Sequence, residues 1–295
     1  MNKSKKFAAV LAAVAAAVTL GGCVAPNAGD GNDNFAGGIP PEEIEIPSDR
    51  FPEDQPPADI EIPSDTQKPE DQPPAEPEIP VPQIKTVSYL NVTSDGVNIR
   101  SGAGTNYAAR GTAQKSTMYA LDGKTDGWYK TGYKNKSAYI SSKYCQLVEM
   151  EASEDERIEA VIAEGTKLLG TAYVFGAVRY HDGSGRLLKN FTTGEFDCSS
   201  LMQYIFYKGA YFKLQVNTRT QIYQGKTVKK SELKRGDLMF FTNEARKDKV
   251  GVERVGHVAL YLGGNWILHT ASDFAKIEQI SAKRWSYFIQ GQRIF

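Results

Sequence analysis

Apolar and polar positions follow four different rhythms along this chain. From Phe7 to Leu20 the residues are uncharged and almost all apolar. At 1.5 Å per residue that run reaches about 21 Å, short of the roughly 30 Å hydrocarbon core, so it predicts a secretory leader rather than a permanent span. From 24 to 85 there is neither a helical nor an alternating period. Ile44-Glu45-Ile46-Pro47-Ser48-Asp49 returns as Ile60-Glu61-Ile62-Pro63-Ser64-Asp65, and Glu53-Asp54-Gln55-Pro56-Pro57 as Glu70-Asp71-Gln72-Pro73-Pro74. From 86 to 149 short alternating runs such as Val97–Arg100 and Trp128–Tyr133 are separated by Gly- and Asp-rich turns, which predicts about five strands closed into a small barrel. Trp128 and Tyr139 read as core residues of that barrel, and Cys145 as a small buried apolar one.

From 153 onward the period changes again. Ser153 and Glu156 match a capping box, with Ser153 as N-cap, ahead of Ile158, Val161, Ile162, Leu168 and Leu169 at helical spacing. The helix should run about four turns. Few residues separate it from the barrel, so the two domains should touch. A second helix is predicted from Leu201, Met202, Ile205 and Phe206, with Asp197 at its N-cap and Cys198 in its first turn. Strands follow at Leu238–Phe241, Val255–Leu262 and Trp266–Thr270. A three-residue loop, Gly263-Gly264-Asn265, would set Ala259 opposite His269 and place His257 and His269 on one face; a two-residue loop would split them.

Charge sharpens this division. The formal net charge is zero, with 35 basic and 35 acidic residues. Residues 24–85 hold 15 acidic and three basic residues together with all 14 prolines, which lie between Pro26 and Pro82. That composition predicts a solvated, extended tether, because proline blocks both helix and sheet ladders and few apolar groups remain to bury. Residues 86–295 hold 29 basic and 20 acidic residues, and their 210 positions lack proline and can bury a sizeable core. A basic folded part suits anionic polymers, and nothing in the pattern calls for a nucleic acid partner.

Three cysteines are too few for a disulfide framework, and each has its own setting. Cys23 follows Leu20-Gly21-Gly22 where leader cleavage should fall. Cys198 lies at a helix N-terminus, where the positive end of the dipole favours thiolate. Two of the three histidines, His257 and His269, share the downstream hairpin, which gives the order Cys, His, His. A thiol, an imidazole and a second polar ring in that order form a nucleophile–base–orienter set. His181 sits in a loop rich in glycine and charge and is assigned to the surface. No paired Cys or His spacing of the metal-binding kind occurs, so no metal or cofactor is expected.

Three stretches resemble known families. Leu20-Gly21-Gly22-Cys23 resembles a bacterial lipobox, which implies a leader over 1–22, acylation of Cys23 and a lipid-anchored protein outside the cytoplasm with a tether over 23–85. Val97-Asn98-Ile99-Arg100-Ser101-Gly102, with Tyr107, Gly111 and Gly127-Trp128, is similar to the bacterial SH3-like domain, placed at 86–149. Tyr173-Val174-Phe175-Gly176, Phe196-Asp197-Cys198-Ser199-Ser200, Arg235-Gly236-Asp237-Leu238, Gly256-His257-Val258-Ala259 and Ile267-Leu268-His269-Thr270-Ala271 together resemble the NlpC-type cysteine peptidases, over 153–295. That resemblance implies a papain-like α+β fold and cleavage of peptidoglycan stem peptides between γ-D-glutamate and the diamino acid. It casts Cys198 as nucleophile, His257 as base and His269 as orienting residue. It assigns Tyr173 to the scissile carbonyl and Asp197 and Ser199 to the substrate groove, Asp197 pairing with a free substrate amine. The expected partners are thus peptidoglycan stem peptides and, through the anchor, a membrane. The chain departs from the family at Ser200, where glycine is usual, and in a longer stretch from Arg179 to Glu195. Two other readings stay open: a different Cys–His amidase or acyltransferase, and a non-catalytic wall-binding lipoprotein.

Overall fold

The computed structural model describes residues 84–295. The expected leader, Cys23 and residues 23–83 of the expected tether lie outside the described residues. Among the described residues no helix is long and apolar enough to cross a membrane.

The first part of the described chain is all β: β1 (Thr86–Val92), β2 (Val97–Arg100), β3 (Ala109–Ala113), β4 (Met118–Ala120), β5 (Gly123–Thr125), β6 (Trp128–Tyr133), β7 (Lys136–Ser141) and β8 (Cys145–Glu151). The second part alternates helix and strand: α1 (Glu156–Lys167), β9 (Ala172–Tyr173), β10 (Glu195–Phe196), α2 (Cys198–Ala210), α3 (Thr218–Gln221), β11 (Lys226–Val228), β12 (Leu238–Phe241), β13 (His257–Gly263), β14 (Trp266–Ala271), β15 (Phe274–Gln279), α4 (Ala282–Ser286) and β16 (Phe288–Arg293). Five of the first eight strands form their own sheet in the order β3-β2-β7-β6-β5. The other three join the second part, because Ile277 of β15 pairs with Met118 of β4. The order β11-β16-β12-β13-β14-β15-β4-β1-β8 is therefore one continuous sheet. The expected barrel and the expected second domain do more than touch; they share a sheet.

Trp128 and Tyr139 are half-buried rather than core residues. Register explains it: Trp128 lies opposite Ser141, and Tyr139 lies opposite both Lys130 and Arg100, so all share the half-exposed face of the smaller sheet. The alternate positions Ile99, Ala138 and Ile140 fill the core instead. Cys145 is likewise half-buried, with its thiol pushed up to about 11 by burial.

The first helix starts later than expected. Its N-cap is Asp155, whose carboxylate accepts from Arg157 N–H, while the Ser153 hydroxyl accepts the Asp155 N–H. Helix α1 buries Val161, Ile162, Gly165 and Thr166 along one face. Its C-terminal carbonyls, which have no helical partner, are met by the β6–β7 turn: Lys134 N–H donates to Leu169 O at 2.9 Å and Asn135 N–H to Lys167 O at 2.7 Å. Lys134 and Asn135 reach those carbonyls from a two-residue hairpin turn with φ of 50° and 58°.

Arg235 ties the same parts together from the other side. Its guanidinium, 7 % exposed, forms a fork on Glu159 of α1 at 2.6 and 2.8 Å and also donates to the Tyr89 hydroxyl of β1 and to Leu262 O. Arg235→Ala leaves these acceptors unmet, so it is expected to destabilise the protein by about 2–3 kcal/mol in denaturant titrations. Arg235→Lys should recover only part of the loss, because an ammonium lacks the planar fork.

The β13–β14 hairpin reaches the expected register by another route. Its turn is the two-residue Gly264-Asn265, at φ 54° and 70°, and the ladder shifts between Tyr261 and Gly263. Two turn residues alone would have sent His257 and His269 to opposite faces. The bulge supplies the missing odd residue, and the pairing Leu260 with Leu268 sets Ala259 opposite His269. Both histidines thus lie on one face of the sheet. Phe240, Val258, Leu260 and Leu268 pack on the helix side, and Met239, Phe241, Ala259 and Ile267 form a smaller core on the other.

Candidate active site

Helix α2 begins where the short parallel pair β9–β10 ends, and the register sets Phe196 beside Tyr173. Asp197 follows as N-cap, with φ −96° and ψ 175°. Its Oδ1 accepts from Ser200 N–H at 2.8 Å and from the Ser199 hydroxyl at 3.0 Å, and the Ser200 hydroxyl accepts the Asp197 N–H at 2.9 Å. Ser200, where the NlpC-type pattern has glycine, therefore completes a reciprocal capping box. The other oxygen, Oδ2, accepts from Gly176 N–H at 3.2 Å and pairs with Arg179 Nη1 at 2.9 Å.

Cys198 is the first residue of α2 and only 9 % exposed. The backbone N–H groups of Val258 and Ser199 favour the charged form of its sulfur. Burial dominates its protonation and, with the Asp197 charge, pushes the thiol up to about 11 against the pull of those N–H groups and Arg179. The expected thiolate preference is thus reversed, because desolvation of a buried sulfur outweighs a helix dipole contributing on the order of 1 kcal/mol.

His257 is the first residue of β13. Its Nε2 lies 3.1 Å from His269 Nδ1, with the two rings at 83°. His269 is fully buried, and its Nε2 lies 2.9 Å from Glu278 Oε1. Burial lowers His257 well below 6.5, with His269 and Arg284 adding to the shift. Burial lowers His269 too, though the Glu278 carboxylate opposes it. Cys198, His257 and Tyr173 line one cleft of about 340 Å³, with Lys283 and Arg284 of α4 giving it a cationic wall. Burial above all, with Asp197 and Cys198 nearby adding to it, holds the Tyr173 hydroxyl protonated above its usual range, so it is a hydrogen-bond donor to the cleft. The arrangement offers a thiol, a neutral base and a phenol donor around one opening.

Comparison with known proteins fits this layout. Residues 170–293 match the model of the NlpC/P60 family and residues 95–146 that of the bacterial SH3 domain. The chain carries an NlpC/P60 domain. Curated relatives include the gamma-DL-glutamyl hydrolase of Bacillus subtilis, 30 % identical over 166 residues, which are 56 % of this chain and 36 % of that protein. The peptidoglycan DL-endopeptidase CwlO of Bacillus licheniformis is 29 % identical over 142 residues, 48 % of this chain and 28 % of that one. The probable endopeptidase NlpC homolog of Haemophilus influenzae is 32 % identical over 133 residues, 44 % of this chain and 63 % of that one. The chain thus spans about a third of the first two relatives and under two thirds of the third. The fold is α+β, with an all-β SH3-like part ahead of the NlpC/P60 domain.

Within that domain the two expected groove residues flank Cys198 and are buried. Asp197 and Ser199 are 4 % and 3 % exposed and are not among the cleft-lining side chains. The Asp197 carboxylate is met by four protein donors and anchors the start of α2. The Ser199 hydroxyl bridges Asp197 and Arg179. His181, expected at the surface, is fully buried. It packs on Tyr180 and Tyr207, and its Nδ1 accepts Gly183 N–H at 3.0 Å, so the long 179–195 stretch of the NlpC/P60 domain is pinned to α2 by an aromatic cluster. Sequence reasoning also missed Arg179 and Glu278. The signal for Glu278 was strand alternation, since His269 pairs with Lys276 and Glu278 lies two residues on, on the same face.

The shifts at Cys198 and His257 make a pH prediction. Their resting forms are thiol and neutral imidazole, so kcat/KM should rise as pH climbs through the lowered His257 value, below 6.5, and stay flat to beyond about pH 9. Difference ultraviolet spectra against Cys198→Ala should show no thiolate band at neutral pH. A full thiolate band there would contradict this account.

Proposed function

We propose that this protein is a cysteine-type peptidoglycan endopeptidase that cuts stem peptides at the γ-D-glutamyl–diamino acid bond. The observation that carries the reading is the hydrogen-bonded chain Glu278–His269–His257, whose two histidines are buried and which ends in the cleft that Cys198 lines. In the proposed reaction the Cys198 sulfur bonds to the scissile carbonyl carbon as its proton passes to His257. The C–N bond then breaks, and His257 returns that proton to the departing amine. The Cys198 N–H, at the start of α2 where no helical acceptor exists, and the Tyr173 hydroxyl receive the oxyanion. Water, deprotonated by His257, frees the acyl group from the thioester and restores the thiol. No cofactor or metal has a step in this scheme.

The name of the Bacillus licheniformis relative, a peptidoglycan DL-endopeptidase, supports a wall peptide substrate, and the ordered set of motifs supports the bond. A secretory leader, acylation at Cys23 and a tether would hold this enzyme outside the cytoplasm, on a membrane facing the wall. That part of the proposal rests on residues 1–85 of the sequence. The test is a synthetic tripeptide, L-Ala-γ-D-Glu-diamino acid, incubated with the full chain. Release of the free diamino acid by the wild type and not by Cys198→Ala is expected. Release from neither would overturn the reading.

A further inference from the structure

Glu278 takes no proton in the scheme above, yet it ends the hydrogen-bond chain of the two buried histidines. Its Oε1 lies 2.9 Å from His269 Nε2 and 3.2 Å from Arg284 Nη2, while Lys276 Nζ lies 3.5 Å from Oε2. Burial alone would raise this carboxyl, but His269, Lys276 and Arg284 outweigh it and hold it at about 2. At neutral pH it is therefore ionised, and an ionised carboxylate only accepts hydrogen bonds.

The consequence runs along the chain one atom at a time. His269 must carry its proton on Nε2 to donate to Glu278. Burial keeps the ring neutral, so its Nδ1 holds only a lone pair. His257 Nε2, 3.1 Å away, must then be the donor in that bond. A neutral His257 has no second proton, so its Nδ1 is left bare. We propose that Glu278 is a positioning residue which, through His269, fixes both histidines as Nε2–H tautomers and leaves His257 Nδ1 free to take the Cys198 proton.

The reverse case shows what the charge decides. A neutral side chain that donates to His269 Nε2 would move that ring's proton to Nδ1. His257 Nε2 would then have to accept, and its own proton would sit on Nδ1, where it cannot act as a base. Arg284 and Lys276 therefore matter as the cations that keep Glu278 an acceptor. Glu278 also places a negative charge behind the ring pair as His257 becomes imidazolium, which lowers the cost of that step without Glu278 itself taking the proton.

This inference rests on reading Cys198 and His257 as nucleophile and base, and its test separates the two. Imidazole nitrogen shifts in the full chain, labelled with nitrogen-15 histidine, report each tautomer without any turnover. The wild type should show both rings as Nε2–H forms at neutral pH. Glu278→Ala should show mixed tautomers and a kcat lower by about 10²–10⁴-fold, with KM changed by less than about threefold. Glu278→Gln has nearly the same shape, so it serves if the alanine variant fails to fold; it should also lose kcat and disturb the tautomers. An Nδ1–H form of either ring in the wild type would overturn the inference, as would unchanged tautomers or unchanged kcat in a folded Glu278 variant. Wild-type chain that shows both Nε2–H forms yet cuts no stem peptide would leave the Glu278 assignment standing for the tautomers and remove the peptidase reading instead.

Discussion

Replacing Cys198 by alanine is expected to lower kcat/KM for stem-peptide cleavage by about 10⁴-fold or more while leaving the melting temperature almost unchanged. The size follows from chemistry: without the sulfur no covalent intermediate forms, and what remains is binding plus oxyanion stabilisation. The small structural cost follows from position. Cys198 is the first residue of α2, alanine is a good helix former, and the cap that starts the helix belongs to Asp197 and Ser200. Val258 is held in the β13 ladder by its pairing with Phe240, so the loss of the sulfur does not break the sheet. A variant that kept more than about one per cent of wild-type activity would remove Cys198 from the role proposed for it.

Gly209→Leu should have a large effect on stability although it lies far from the cleft. Helices α1 and α2 meet so closely there that even a single added carbon at Gly209 would lie 2.5 Å from Val161 N and 2.6 Å from Val161 Cα. The neighbour is backbone in the middle of α1, which cannot swing aside as a side chain can. The two helices would have to separate, opening the contacts of Val161 and Ile162 with the buried face of α2. Overpacking of this kind costs about 3 kcal/mol, which for a folded part of this size is a fall of roughly 6–12 °C in Tm. Because α2 also carries Cys198, activity should fall with it. A melting curve within about 1 °C of the wild type would show that the helix contact is not needed.

The parts of the fold set by local chemistry were legible in the sequence. The second helix with Asp197 as N-cap follows from the spacing of Leu201, Met202, Ile205 and Phe206 and from a residue type that accepts backbone N–H groups. The shared face of His257 and His269 followed from the odd parity of their hairpin, although a bulge and not a longer loop supplies it. Capping was harder at α1, where Ser153 and Asp155 compete two residues apart and Asp155 takes the cap.

What stayed hidden depends on contacts between distant positions. The single pairing of Ile277 with Met118, which makes one sheet of two parts, leaves no local period to read. His181 lies in a stretch whose glycines and charges read as surface, yet Tyr180, Phe191, Tyr204 and Tyr207 build a small core around it. Arg179 is 18 residues before Asp197, in a loop without pattern, so its ion pair with that carboxylate could not be foreseen. Cys198 teaches a similar point about energy. Its place at a helix N-terminus is visible in the sequence, but the burial that reverses its protonation preference arises only when β13 packs against it.

The central claim is that Cys198, His257 and His269 cut the γ-D-glutamyl–diamino acid bond of wall peptides. The most direct measurement is digestion of purified peptidoglycan by the full chain, with mass spectrometry of the released fragments and Cys198→Ala in parallel. New γ-D-glutamate carboxyl ends matched by new diamino acid amino ends, from the wild type alone, are the predicted result. New ends at the sugar–peptide bond, or no new ends at all, would contradict the claim.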